Sequence, residues 1–220
     1  MSLPLFPLGS VLFPGQSVPL RIFEDRYRAM VRDLLAIEDP TERLFVSVAI
    51  REGYEVGEYG VQSLYRVGCT VQLTDVEATA AGGYDVVGVV RGRFRTDHVE
   101  AGEEYAVVTG TLLEEPGPGP EDAALAVGAL VRFRRYRDAV SAWEDDLPTV
   151  PLPRDPEYLA WTLAALTPLP LPQRQELLEV RGTGTRLRLV SQLLGEELRA
   201  MNAVPSLPAS EVARTRWSPN

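Results

Sequence analysis

Two residues that could do chemistry each occur once in the chain, the cysteine Cys69 and the histidine His98. A histidine can act as a general base, but a hydrolase triad also needs a nucleophile and an orienting acid, and the chain has no Gly-x-Ser-x-Gly elbow. Cys69 has no adjacent cationic residue to activate its thiol. One cysteine and one histidine cannot supply the four ligands of a structural zinc site. We therefore interpret Cys69 as a core residue and His98 as an ordinary strand residue, and we predict no metal.

The basic residues of the chain, 22 in number, are all arginines, and the sequence contains no lysine. A Walker phosphate loop requires a lysine, and so does a Ser-Lys peptidase dyad. The short run Gly182-Thr183-Gly184 lacks the third glycine of a dinucleotide-binding loop and follows a predicted helix, so we interpret it as a helix stop. These observations predict a noncatalytic protein that needs no cofactor.

The charge balance narrows the choice of partners. A net charge of −9 and a pI near 4.8 disfavour general nucleic-acid binding and binding to anionic membranes. No apolar run approaches the ~20 residues that span a bilayer, and prolines interrupt the only candidate for a signal peptide, so we expect a cytoplasmic protein. One cluster of arginines could bind an anionic partner, although such a run is more commonly a solvated helix face. It consists of Arg132, Arg134, Arg135 and Arg137.

The elements that would position these residues begin in residues 3–31. Pro4 and Pro7 remove backbone donors, which predicts that the first strand lies at a sheet edge or breaks there. The run Phe13-Pro14-Gly15 is typical of a tight turn, so residues 11–13 and 17–22 are predicted to form a hairpin. From residue 24 onward the apolar residues recur at helical spacing. The start of the chain therefore predicts strands followed by an amphipathic helix.

These residues also resemble a known family. The chain is similar to the amino-terminal domain of the ATP-dependent Lon protease family, most of all to its bacterial stand-alone form. The likeness rests on several short elements at fixed spacings, and it continues in the runs at residues 159–161, 169–173 and 177–178. The elements at the start are Leu5-Phe6-Pro7-Leu8, Leu12-Phe13-Pro14-Gly15, Pro19-Leu20, Ile22-Phe23-Glu24, Arg26-Tyr27 and Met30.

The resemblance implies a fold and a role. The expected fold is α+β, with a PUA-like β-barrel-like subdomain that carries one helix near the N-terminus, followed by a smaller all-helical subdomain. The expected role is to bind protein substrates rather than to cut them. The relevant partners would be unfolded or tagged polypeptides, with a protease or chaperone machine as a further candidate.

Composition places the boundaries between these parts. The run of prolines and glycines at residues 116–120 can be neither helix nor central strand, so we expect a linker there. Residues 1–115 form the predicted β-rich subdomain, with strands at 44–50, 68–77, 84–90, 93–100 and 105–113. Residues 121–202 form the predicted helical subdomain, and residues 203–220 a flexible tail.

Aromatic residues near predicted strand edges are the candidates for peptide binding. Phe6, Phe13 and Phe23 lie beside turns and edges that proline prevents from pairing fully, so an extended peptide could add there; the alternative is that each is a core residue. A second candidate is a cleft near Tyr65 and Trp161. Two functions stay open from the sequence: a protein-binding or peptide-binding module, and a small-molecule or RNA binder that uses the PUA-like architecture.

Overall fold

The computed structural model of the chain describes residues 1–51, 64–141 and 151–203. Two compact units are present, Met1–Glu114 and Glu115–Asn220. In the described residues, the first unit holds the strands and one long helix, and the second holds helices, which confirms the predicted α+β class. The predicted flexible tail lies, from residue 204 onward, outside the described residues.

A mixed six-stranded sheet forms the first unit. Its strands are β1 (Ser2–Leu8), β2 (Ser17–Ile22), β3 (Leu44–Ala49), β4 (Val67–Ala78), β5 (Tyr84–Ala101) and β6 (Ala106–Leu113). Its order is β2-β5-β4-β3-β1-β6, and β5 also pairs with β6, so the pairings return to β5 and make the sheet barrel-like. Helix α1 (Asp25–Ala36) follows the second strand, as predicted.

The first strand is interior to the order of strands, and its prolines are accommodated by a change of its pairing partner. Residues 2–4 pair antiparallel with β6, while residues 5–8 pair parallel with β3. Each half of β1 is therefore paired on one side only. The missing N–H groups of Pro4 and Pro7 can then fall on the unpaired side. The prediction of an edge strand or a break at the prolines was wrong, because β1 runs unbroken through Pro4 and Pro7 and only its pairing partner changes, between Pro4 and Leu5.

The turn after Phe13 forms, but the predicted hairpin does not. The Gln16 N–H donates to Phe13 O at 3.2 Å, and Gly15 has φ +87°, the left-handed conformation that glycine tolerates. Instead of folding back on residues 11–13, β2 pairs antiparallel with β5 over its whole length. The Gly15 N–H also donates to Val90 O at 2.9 Å. This long-range pairing outcompetes the local hairpin.

The segments predicted as two strands at 84–90 and 93–100 form the single long strand β5. Its register against β4 shifts between Val90 and Gly92, so Arg91 is an extra residue in a bulge rather than part of a turn. A second shift, against β6, occurs between Thr96 and His98. The two bulges bend β5, so that its first half pairs with β2 and its second half with β6.

Four helices make up the described part of the second unit: α2 (Asp122–Ser141), α3 (Pro156–Leu166), α4 (Leu171–Glu179) and α5 (Thr183–Ala203). The Asp155 carboxylate caps α3 by accepting the N–H groups of Glu157 and Tyr158, and Pro156 occupies the first helical position, as predicted. The predicted apolar stripe of α2 is buried as far as the helix is described, whereas Trp143, its last predicted member, lies outside the described residues. The buried members are Ala129, Phe133, Tyr136 and Val140.

Candidate functional site

Phe6, the first candidate aromatic, is a core residue. Its ring centroid lies 4.4 Å from that of Tyr27 on α1 and 5.9 Å from that of Phe45 on β3. The ring is 7% exposed. Phe6 therefore joins the sheet to α1 and presents no open surface to a peptide.

Phe13, the second candidate, is fully buried although it precedes a turn. Its N–H donates to the Gln16 Oε1 at 2.6 Å, and the turn is held against β5 by the bond from Gly15 to Val90. Gly15 of the turn is exposed, but the Phe13 side chain beside it is buried in the core. The structure thus favours the core alternative for both Phe6 and Phe13.

Phe23, the third candidate, is 72% exposed. It follows the last residue of β2 and lines a pocket of about 250 Å³, which the turn between β4 and β5 completes. An exposed phenylalanine beside a pocket is the kind of apolar surface that binding sites use. The other residues that line the pocket are Arg21, Ile22, Thr79, Ala81 and Gly83.

The strand that leads to Phe23 has an open edge, because β2 is the last strand in the sheet order among the described residues. The Val90 N–H donates to Gln16 O, and hydrogen-bonded pairs alternate from there. Ser17, Pro19 and Arg21 therefore direct their backbone groups away from β5. Since proline has no N–H, this edge offers fewer donors than an ordinary edge strand.

A surface ion pair flanks the same edge. The Arg21 Nε donates to Asp85 Oδ1 at 3.0 Å, and this hydrogen bond holds the pKa of the Asp85 carboxyl below its ordinary value. Both side chains are well exposed, at 78% and 46%, so the pair contributes little to stability. The two charged side chains are therefore paired with each other, and Phe23 is the exposed apolar side chain at this edge.

Tyr65, the fourth candidate, lines a cavity of about 450 Å³ in the first unit. The Arg51 guanidinium lies 5.2 Å from the centroid of its ring. The cavity combines an aliphatic floor with a polar rim, which is typical of ligand sites. Of the residues around it, the sequence analysis had singled out only Tyr65 as a binding residue.

Trp161, the fifth candidate, is buried within the helical unit, with 2% of its surface exposed. The Arg186 guanidinium covers the indole at 3.3 Å from the ring centroid. Trp161 thus has a packing partner inside its own unit. A cleft that would contain both Tyr65 and Trp161 stays a prediction.

The four arginines of the cluster on α2 differ in their exposure and contacts. Arg132, Arg134 and Arg135 are exposed, and Arg137 is half-buried. The Arg132 Nη1 donates to Ser191 O on α5 at 3.0 Å, so this residue links two helices. Arg134 and Arg135 remain candidates for an anionic partner.

The residues with potential for catalysis do not form a catalytic group. The His98 Nε2 lies 3.8 Å from Glu100 Oε1 at an exposed site, and Cys69 is buried with its Sγ donating to Leu12 O at 3.4 Å. Over residues 1–51, 64–141 and 151–203, no cluster of three or more His, Cys, Asp or Glu could hold a metal ion. In the same ranges, no helix is long and apolar enough to cross a membrane.

Comparison with known proteins identifies the family of the chain. The family model of the ATP-dependent protease La (LON) substrate-binding domain matches residues 2–196. The chain belongs to the Lon substrate-binding domain family. This result confirms the resemblance noted in the sequence, and the matched domain is the noncatalytic part of these proteases.

Individual relatives agree with this assignment. Lon protease 2 from Sorangium cellulosum is 28% identical over 98% of this chain, and Lon protease 2 from Myxococcus xanthus is 24% identical over 97%. The chain spans about a quarter of the length of these relatives, 27% and 26%.

A solved structure has a similar fold and similar extent. The crystal structure of the Lon N-terminal domain protein from Xanthomonas campestris has a TM-score of 0.62 and 27% sequence identity to this chain. The match covers 89% of this chain and 98% of that one. The match therefore extends over nearly the whole of that domain.

Proposed function

We propose that this chain is a noncatalytic module that binds unfolded or tagged polypeptides, with Phe23 and the open edge of β2 as its contact surface. The observation that carries the proposal is the 72% exposed Phe23 ring beside a pocket, in a chain that belongs to a substrate-binding family. A cytoplasmic setting and a protease or chaperone machine as the receiving partner are parts of the same proposal.

The edge favours side-chain binding over strand addition. Because Pro19 supplies no N–H, a peptide beside β2 gains few backbone hydrogen bonds. An apolar side chain that inserts between Phe23 and the pocket wall would instead gain from burial, at ~25 cal/mol per Å² of apolar surface. Specificity for sequence would be low, which suits a module that accepts many unfolded chains.

The expected affinity is modest. Ordering a flexible peptide offsets much of the gain from a single buried aromatic contact, so a dissociation constant in the micromolar range, about −8 kcal/mol, is expected. The alternative of an RNA binder is disfavoured by the net charge of −9, because phosphate binding depends on clustered cations. The small-molecule alternative would place a ligand in the cavity beside Tyr65.

Equilibrium binding tests the proposal. The full chain is titrated against a fluorescently labelled protein that has been permanently unfolded by reduction and carboxymethylation, with the folded form of the same protein as control. Saturable binding to the unfolded form alone is expected, with little change in affinity between about 0.05 and 0.5 M salt, because screening weakens only exposed charge contacts. Absence of this binding together with salt-dependent RNA binding would contradict the proposal.

A further inference from the structure

The cavity beside Tyr65 has an apolar floor that continues the core of the first unit. Leu5, Val48 and Val108 belong to its buried cluster, and Leu64 and Val99 pack against that cluster while half-buried. All five line the cavity. Its volume of about 450 Å³ lies within the ~300–1,000 Å³ of small-ligand sites. The floor can therefore take an aliphatic group.

Two arginines stand at the rim of this cavity. Arg51 lies over the Tyr65 ring at 5.2 Å, a contact that restrains the long side chain, and Arg66 follows Tyr65 directly in sequence. Within the described parts of the chain, neither guanidinium has a carboxylate within ion-pair distance. The rim acid Asp97, in contrast, lies 3.3 Å from the Arg95 Nε and is paired. Among the described residues, the rim therefore presents two guanidinium groups that have no paired carboxylate.

Thr96 lines the cavity at a bulge of β5. The Thr96 Oγ1 is inaccessible to solvent and has no hydrogen-bond partner within the described residues. It lies where the register of β5 against β6 shifts, so that Asp97 is the extra residue of a bulge. Bulges re-aim side chains beside sites of function. Because the Thr96 Oγ1 is closed off from solvent, it is not available to a ligand, and recognition depends on the arginines at the rim.

We propose that this cavity binds an aliphatic group that ends in a carboxylate, namely the C-terminal residue of a polypeptide. The aliphatic side chain would lie on the floor, and the terminal carboxylate would accept hydrogen bonds from Arg51 and Arg66. A free branched carboxylic acid carries the same chemistry. The assignment to a polypeptide rests on the proposed function. The expectation of an aliphatic carboxylate rests only on the charge and shape of the cavity.

Peptide pairs that differ only at the terminus provide the test. A fluorescent tetrapeptide that ends in leucine is titrated as the free acid and as the amide, and 4-methylpentanoate is used as a competitor. The free acid is expected to bind at least about tenfold more tightly than the amide, and the preference should weaken at high salt because the guanidinium groups are exposed. Equal affinity for acid and amide would overturn the proposal. Displacement of the peptide by 4-methylpentanoate at the peptide's own affinity would overturn the assignment to a polypeptide terminus.

Variants assign the preference to the cavity. The double variant Arg51→Gln/Arg66→Gln should abolish the preference for the acid, whereas the near-isosteric Thr96→Val should leave it unchanged, because the Thr96 Oγ1 is closed off from solvent. Arg32→Gln is the matched control, because Arg32 is exposed, pairs with Glu104 and does not line the cavity. A preference that survives in the double variant would overturn the proposal.

Phe23→Ser separates this inference from the proposed function. It should weaken binding to unfolded protein while leaving the preference for the free acid unchanged. Loss of that preference in Phe23→Ser would show that the cavity is not an independent site, and would overturn the inference without affecting the proposed function.

Discussion

The Arg186 guanidinium lies 3.3 Å from the centroid of the Trp161 ring, with both side chains buried in the helical unit. Its Nε donates to Leu177 O at 3.0 Å and its Nη2 to Val180 O at 2.7 Å. These carbonyls lie at the end of α4, where backbone acceptors lack helical partners. The Glu115 Oε2 is 3.5 Å from the Arg186 Nη1. The buried charge is thus compensated by an indole face, two carbonyls and a carboxylate.

Replacement of Arg186 by methionine should destabilise the helical unit by about 3–5 kcal/mol, because Glu115 and the carbonyls of α4 would be left buried without the cation. The control is Arg188→Met on the same helix, since Arg188 pairs with Glu121 at an exposed site and should cost at most about 1 kcal/mol. Denaturant unfolding of both variants measures the difference. Equal stability of the two variants would show that the buried guanidinium has no structural role.

Replacement of Glu157 by glutamine should stabilise the protein at neutral pH. Burial is the main cause that raises the pKa of the Glu157 carboxyl, and Glu115 and Asp155 raise it further. A carboxyl with a raised folded-state pKa contributes stability below its unfolded pKa, ~4.3, and loses that contribution as the pH rises through the folded value. The gain from Glu157→Gln should therefore be present at pH 7 and vanish at low pH. An unchanged gain at both pH values, measured by denaturant midpoints, would contradict the assignment.

The Tyr105 hydroxyl should lose its proton at a higher pH than an ordinary tyrosine does. Its hydroxyl donates to Asp33 Oδ2 at 2.7 Å, and burial, followed by Asp33, raises its pKa to about 12. The stabilisation from the neutral phenol is present below the ordinary pKa of ~10 and is lost as the pH rises through the folded value. An absorbance titration of wild type minus Tyr105→Phe isolates this group. Replacement of Asp33 by asparagine should move the transition downward, and a transition near pH 10 in the wild type would refute the contact.

The two phenylalanines that sequence analysis grouped together should behave differently. Phe13→Ser removes a fully buried ring and should cost at least the ~3–5 kcal/mol of a buried Phe→Ala change. Phe23→Ser removes an exposed ring, so the melting temperature should change little. Thermal unfolding of the pair tests the assignment. A cooperative melt of Phe13→Ser close to that of the wild type would place Phe13 outside the core.

The local patterns of the sequence predicted local structure well. Helical spacing gave α1, and alternation of apolar residues gave β3 and β4, although β3 and the first half of β4 are buried on both faces rather than on one. The Phe13-Pro14-Gly15 turn was also predictable, since it needs only the local preferences of proline and glycine. Burial of Phe13 was not, because it depends on the bond from Gly15 to a strand far along the chain.

The candidate site was only partly predictable for the same reason. Phe23 was found from its place after a proline-containing strand, whereas the arginines of the cavity carry no pattern of their own. Arg51 and Thr96 meet Tyr65 only through the pairing of distant strands and a bulge at Asp97. Sequence periodicity does not encode such bulges, so the polar rim of the cavity could be recognised only in the folded protein.

The central claim is that Phe23 forms the contact surface for unfolded polypeptide. The most direct measurement is the affinity for an unfolded, labelled protein of the wild type, of Phe23→Ser and of Leu112→Ser. Leu112 is the matched control because it is 54% exposed in the same unit and does not line the pocket beside Phe23. The account predicts that Phe23→Ser weakens binding by about tenfold or more, as expected from ~1.5–3 kcal/mol of lost burial, while Leu112→Ser binds like the wild type. Unchanged binding by a folded Phe23→Ser variant would contradict it.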